Sequence, residues 1–272
     1  MAKKRDREEK KHKKIKHSKH NTHTSPKPLY QGIERGKHIQ SESQLLLNVI
    51  RWFLQAKGTS LIILSIITVY LISLTWSPEV FQSLVFTRSK LLSLNFLPMI
   101  TSWFLHSNWV HLLGNVLFLF IFGRIVERKF GLFRFLLIYF SAAITSDIIA
   151  GLIFGQGGIG ASGAIAGIVA GAMIINPFYL TYFFFGIPIP VMFVGWFTIS
   201  SDIFGLINPL PGDSVGHIAH LGGFFGITLI LYLVGKKDLA IQRGFVVNLI
   251  TSIVILLLYF LLPVSPFASL YG

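Results

Sequence analysis

Residues 155–175 read GQGGIGASGAIAGIVAGAMII, and residues 216–235 read GHIAHLGGFFGITLILYLVG. Neither stretch holds a Lys, Arg, Asp or Glu. Each is close to the roughly 20 apolar residues that a helix needs to cross a bilayer core of ~30 Å. In the first, Gly163, Gly167 and Gly171 recur every fourth residue; in the second, Gly222 and Gly226 do the same. Glycine at that spacing lays a smooth stripe along one face, on which another helix can approach closely. The first stretch carries Ser162 and the second His217 and His220. An alcohol and imidazoles thus sit on two helices suited to backbone-to-backbone packing, the approach that a short imidazole-to-hydroxyl hydrogen bond requires.

Outward from these two stretches the same character continues. Seven segments read as membrane spans, at about 59–77, 105–126, 132–154, 158–175, 188–207, 215–235 and 243–263. The expected fold class is an all-α polytopic membrane protein. Residues 44–56, QLLLNVIRWFLQA, are apolar but short and carry Arg51, which suits a helix lying in the membrane interface. The connection 78–104 is too apolar for a solvated loop, and its Trp and Phe residues suit partial insertion into one leaflet. No repeat of fixed period is visible.

Composition agrees. Of the 272 residues, 53% are hydrophobic and 13% charged, against about 25% charged in ordinary soluble domains. There is no cysteine, which excludes thiolate catalysis and cysteine metal sites. The net charge of +13 belongs mainly to one end: 15 of the 24 Lys and Arg lie in residues 1–57. That tail has the composition of a disordered segment and no apolar run, so it is not expected to act as a secretory signal. Attraction to anionic lipid head groups is its natural role, at ~1 kcal/mol per basic residue near the surface. Specific nucleic-acid binding is not expected, since it lacks the interleaved aromatics of a stacking platform. His12, His17, His20, His23 and His38 show no metal-ligand spacing.

Cytoplasmic loops carry an excess of Lys and Arg. With the N-terminus inside, the inner segments hold 22 basic residues and the outer ones two, Arg88 and Lys90. The C-terminus, after seven spans, is expected outside, in the cell membrane. Spans two, four and six then all run from outside to inside. His106 and His111, Ser162, and His217 and His220 fall in the outer halves of those three spans. Their convergence at one depth follows from charge counting and span length alone.

Each of these residues has a bland reading. A serine in a membrane helix usually bonds a carbonyl one turn back. Gly157, Gly158 and Gly160 ahead of Ser162 change the context, because they free the backbone just where a helix begins and leaves N–H groups that could hold an oxyanion. His111 and Asn115, one turn apart on one face, could donate to the same oxyanion or form an interhelical polar clamp. Asp147 and Asp202 are also intramembrane; neither is placed by sequence beside a histidine, and both read as structural, with an orienting carboxylate left open.

These residues resemble the rhomboid family of intramembrane serine proteases, over about residues 97–235. HSNWVHLLGN is similar to the family's His-x-x-x-Asn motif through His111 and Asn115, with His106 matching an upstream histidine. GASG is similar to Gly-x-Ser-Gly, which implies Ser162 as nucleophile and Gly160 as its structural partner, followed by Gly163. AHLGG is similar to Ala-His-x-x-Gly, which implies His220 as base, with Gly223 closing the motif and His217 the runner-up. GRIVERKFG resembles the turn ending the second helix, through Gly123 and Glu127. The resemblance implies a six-helix bundle over 58–240, preceded by a basic tail (1–43) and an interfacial helix (44–57) and followed by a seventh span and outer C-terminus (241–272). It implies a Ser–His dyad with no required acid, transmembrane protein substrates, and no metal or other cofactor. Two positions depart from the pattern: Leu97-Pro98 stands where many members have Trp-Arg, and Ala166 where many have an aromatic that stacks on the catalytic imidazole, a place that Phe224 or Trp196 could take.

Two other readings compete. A membrane binder of transmembrane clients would keep its clients without Ser162. A proton or metal transporter built on the histidines with Asp147 and Asp202 would be indifferent to serine-directed reagents. No His-Glu-x-x-His occurs to support a zinc protease.

Overall fold

The computed structural model describes residues 55–184 and 187–261, together with Leu47, Ile50 and Arg51. The basic tail and the residues after 261 lie outside the described residues, as does most of the expected interfacial helix; of its described members, Leu47, Ile50, Arg51 and Gln55 are helical and Ala56 is a bend before α1.

Seven helices occupy the seven expected spans: α1 (Lys57–Ser73), α5 (Trp109–Phe130), α6 (Leu132–Ile153), α7 (Ser162–Ile175), α8 (Val191–Ile207), α9 (His217–Val234) and α10 (Leu239–Leu261). By length and composition α5, α6, α9 and α10 are long and apolar enough to cross a membrane, while α1, α7 and α8 are shorter apolar helices. The 14 residues of α7 rise about 21 Å at 1.5 Å each, short of the ~30 Å hydrocarbon layer. Backbone at the ends of so short a span must find its partners inside the protein or in a wet cavity. At the Ser162 end it does so: Gly160 N donates to Ser102 O (2.8 Å), and Gly158 N to Phe86 O (3.1 Å).

The connection 78–104 folds as three short helices, α2 (Pro78–Ser83), α3 (Arg88–Leu92) and α4 (Leu97–Ser102). Lys90 Nζ donates to the carbonyls of Gln82 (2.8 Å), Ser83 (2.9 Å) and Val85 (2.9 Å), closing the C-terminal end of α2. Leu92, Leu94, Phe96, Leu97 and Ile100 are exposed, as a segment bedded in a leaflet requires. The span expected from 188 begins instead at Val191. Pro188 and Pro190 supply no N–H and disfavour helix before them, and β1 (Leu180–Phe184) and β2 (Ile187–Pro190) pair there as a small antiparallel ribbon.

α7 is the axis of the bundle. From Gly163 to Ile174 it is buried apart from the half-buried Ala166, and α5, α6, α8, α9 and α10 all pack on it. Its most extensive neighbour is α9. A Cβ on Gly223 would run into Gly163 O, and one on Gly167 would lie 2.9 Å from Gly223 O. The expected backbone-to-backbone packing is therefore real, but the stripe on α9 is corrected. Gly223 faces α7, whereas Gly222 and Gly226 face α6, against Ser146 and Ile149 and against Thr145. Spacing of four identifies a smooth face without saying which neighbour uses it.

Glu127, in the last turns of α5, reaches across to the start of α1. Its Oε1 accepts from Gly58 N (2.8 Å), and its Oε2 from Thr59 N (2.9 Å) and Thr59 Oγ1 (2.8 Å). The carboxylate thus caps a helix 68 residues away in sequence, satisfying N–H groups that a helix start leaves unpaired. Gly123 permits the approach: a Cβ there would lie 2.8 Å from Thr59 Oγ1.

Candidate functional site

Ser162 is the first residue of α7, half-buried, at the end of the glycine-rich loop. The loop is drawn against α5 at Gly160, whose φ of +111° favours glycine. A Cβ there would stand 2.6 Å from His111 Nε2 and 3.7 Å from Asn115 Nδ2. A side chain at the residue two before Ser162 would therefore collide with His111 and reach Asn115, so glycine there leaves room for the His-x-x-x-Asn pair.

His111 and Asn115 lie one turn apart on α5. The Asn108 side chain caps this helix by accepting from His111 N (2.9 Å). His111 Nδ1 lies 3.3 Å from Ser107 Oγ, which leaves Nε2 on the Gly160 side. Asn115 is buried, and its Nδ2 has no hydrogen-bond partner among the described residues. An amide donor buried without a partner costs about 1–3 kcal/mol, a cost usually borne for a ligand or water. His106 is buried beneath His111, ring centroids 4.9 Å apart; its Nδ1 lies 3.2 Å from Phe104 O, and its Nε2 is unpartnered among the described residues.

On the opposite wall stand α8 and α9. His217 opens α9 and His220 follows one turn later. Asp202 on α8 is buried, and its Oδ1 lies 2.8 Å from His217 Nδ1 and 2.8 Å from His220 Nδ1. Asp213, in the loop between the two helices, places Oδ2 3.1 Å from His217 Nε2. Its carboxyl is held below the ordinary aspartate value, first by the Val215 amide and then by His217. Sequence alone did not place Asp202 beside a histidine and left an orienting carboxylate open; here Asp202 contacts two histidines. One signal was available: α8 and α9 are antiparallel neighbours across a short loop, and Asp202 and His220 lie at similar distances from it.

Ser162, His111, Asn115, His217, His220 and Asp202 all line one cavity of about 950 Å³, which Phe118, Phe197 and Phe224 also border. No hydrogen bond joins Ser162 to His220 among the described residues, although both face this space. Ala166 lines it too and offers the His220 ring no aromatic surface; the described ring neighbour of His220 is His217, at 6.5 Å. Asp147 borders the cavity and accepts from Trp103 Nε1 (2.7 Å), apart from the histidines. Gly163 and Gly223 serve the α7–α9 contact and Glu127 the cap of α1, so all three act on the site through packing.

Asp202, His217 and His220 also present three metal-ligand atoms within 4.8 Å of one another. The 2.8 Å separations are those of hydrogen-bonded partners. Ligands around a tetrahedral zinc with bonds of ~2.0 Å stand about 3.3 Å apart. Hydrogen bonding accounts for the cluster.

Known proteins are similar to this chain in sequence over the region that forms the cavity. The rhomboid domain matches residues 93–237. Rhomboid-like protein 11 of Arabidopsis thaliana, chloroplastic, is 30% identical over 149 residues, which are 50% of this chain and 52% of that protein. RHOMBOID-like protein 12 of the same plant, mitochondrial, is 31% identical over 144 residues, 46% of this chain and 42% of that one. Rhomboid protease GlpG of Haemophilus influenzae is 29% identical over 120 residues, 43% and 59% respectively. The alignments thus span about half the length of these relatives. The matched region holds α5 to α9 and every residue that lines the cavity from Ser102 onward, and the chain belongs to the rhomboid family.

Proposed function

We propose that the chain is a serine endopeptidase that hydrolyses transmembrane protein substrates inside the bilayer. The observation that carries this reading is the meeting, in one cavity, of Ser162 at a helix start, the His220 imidazole, and the buried Asn115 amide beside His111, which has no hydrogen-bond partner among the described residues.

The chemistry follows from the donors and acceptors present. Ser162 Oγ attacks the peptide carbonyl carbon as His220 takes its proton. The carbonyl oxygen turns negative and receives hydrogen bonds from Asn115 Nδ2, His111 and the Ser162 N–H. His220 returns its proton to the leaving nitrogen, the C–N bond breaks, and an acyl ester remains on Ser162. Water then gives a proton to His220 as its oxygen attacks the ester carbon; the bond to Ser162 Oγ breaks, His220 returns the proton to that oxygen, and the acid product and free enzyme are released. A nucleophile–base hydrogen bond that is open without substrate commonly tightens when substrate binds. The substrate helix must unwind locally, since a helical carbonyl is already bonded.

The distribution of Lys and Arg supports a cytoplasmic N-terminus and a cavity opening to the outer face of the cell membrane. The basic tail would then meet anionic head groups, and the six-span unit (58–240) would carry the site, with 241–272 appended. Nothing in the proposed steps calls for a cofactor.

The binder reading keeps two supporting observations: among the described residues no hydrogen bond joins Ser162 to His220, and Ala166 offers the imidazole no aromatic surface. Cleavage of a co-expressed transmembrane substrate separates the two. The protease reading expects loss of cleavage in Ser162→Ala and in His220→Ala. Cleavage unchanged by Ser162→Ala rejects the nucleophile assignment, and client association without cleavage in the wild type supports the binder.

A further inference from the structure

The His220 ring is held from behind. An ionised carboxylate only accepts hydrogen bonds, so the two 2.8 Å contacts at Asp202 Oδ1 require a proton on Nδ1 of both His217 and His220. His220 Nε2 is then bare and free to accept a proton. At His217 the second ring nitrogen also meets a carboxylate oxygen, Asp213 Oδ2, at 3.1 Å. An imidazole with both nitrogens donating to carboxylates is an imidazolium. The arrangement has room made for it: a Cβ at Gly205 on α8 would overlap the His217 ring. Asp202 is buried, at 8% exposure, and two histidines take up its inward oxygen. Ala166 offers the His220 ring no aromatic surface, and the hydrogen bond to Asp202 holds the ring in orientation from behind.

We propose that Asp202 is a positioning residue that sets the tautomer and orientation of His220, and that His217, as a cation bridging Asp202 and Asp213, tempers the basicity that Asp202 confers. This rests on the protease reading above and extends it, since the family resemblance implies a dyad without an acid. Four charged or titratable groups face His220 or its anchor: Asp202 from α8, His217 from α9, His111 from α5, which lines the same cavity, and Asp213 from the loop through His217. The two carboxylates act with opposite sign. Loss of the Asp202 charge makes the His220 imidazolium less stable, so His220 gives up its proton at lower pH. Loss of the Asp213 charge lets His217 discharge more readily; His220 then sees less positive charge and holds its proton to higher pH.

The test is the rate at which a fluorophosphonate labels Ser162 in the purified full chain, followed from about pH 5 to 9, where histidine titrates. Wild type, Asp202→Asn and Asp213→Asn are compared, with Ser162→Ala as control. Asp202→Asn is expected to slow labelling about 100-fold or more, as when a triad histidine loses its tautomer, and to move the midpoint of the profile to lower pH. Asp213→Asn is expected to move it to higher pH. A Ser162-dependent wild-type rate that Asp202→Asn leaves within threefold, at the same midpoint, overturns the proposal alone. Equal labelling of wild type and Ser162→Ala overturns the protease reading, and this proposal with it. Should Asp202→Asn fail to fold, Asp213→Asn on its loop decides: an upward midpoint supports the bridge, and an unmoved or lower one overturns it.

Discussion

Gly223→Ala places a methyl group between the two helices that carry the candidate nucleophile and base. The ideal Cβ would meet Gly163 O more than roughly 1 Å inside van der Waals contact, with Gly163 C at 2.8 Å behind it. Neither obstacle is the end of a flexible side chain. Both are backbone of α7, one residue beyond Ser162, so the helices must separate by about that distance. Overpacking of this kind costs about 1–3 kcal/mol. The effect on chemistry should be larger, because a misplacement of about 1 Å can cost 10²-fold in rate. Gly222→Ala is the matched control. It adds the same methyl group one residue earlier, where the nearest atoms, on Ile149 and Ser146 of α6, stand at 3.1–3.3 Å and the clash is slight. Fluorophosphonate labelling of Ser162 and thermal unfolding in detergent measure the two quantities on the same samples. The expectation is a drop of about 100-fold in labelling for Gly223→Ala with helical content retained, and less than about tenfold for Gly222→Ala. If Gly223→Ala labels within threefold of wild type, or if the two variants rank in the opposite order, the claim that this close contact sets the Ser162–His220 distance is wrong.

Glu127→Ala strips three hydrogen bonds from the start of α1 and leaves buried N–H groups unpaired; at about 1–3 kcal/mol per orphaned group, a loss of about 3–5 kcal/mol in unfolding is expected, and less for Glu127→Gln, which keeps one acceptor oxygen. Asn115→Ala removes a donor that has no other partner among the described residues; substrate turnover should fall about 10²–10³-fold with thermal stability unchanged or slightly raised. Asp238 caps α10 through Ala240 N (2.9 Å) and pairs with Lys129 Nζ (2.8 Å), and its carboxyl is held below the ordinary value, chiefly by Lys129. Its contribution is therefore complete above the ordinary aspartate range and lost as pH falls through the lowered folded value. The stability difference between wild type and Asp238→Ala, at most about 1 kcal/mol for a partly exposed cap, should shrink to nothing in acid unfolding profiles.

Much of the fold was legible because the membrane makes it so. A segment without charge and about 20 residues long has few alternatives to crossing, and the alternation of direction then assigns each polar residue a depth. Ser162, His111, His217 and His220 could be placed on one side of the bundle on that basis. The helix start at Ser162 was foreshadowed by its glycines. The ribbon at 180–190 was not read, although Pro188 and Pro190 argued against a helix beginning at 188.

What the sequence by itself determined, then, is level along the bundle: which segments are apolar enough to serve as spans, and that an alcohol, imidazoles and an amide reach the same level. What only the tertiary structure decided is who stands beside whom. It put Asp202 against both histidines of α9, turned Gly223 rather than Gly222 toward α7, and sent Glu127 to cap α1. Hydropathy reports a residue's position along the membrane normal. The lateral order and rotation of helices are set by steric fit and by pairing of polar groups between elements distant in the chain, and neither leaves a periodic trace in a single segment.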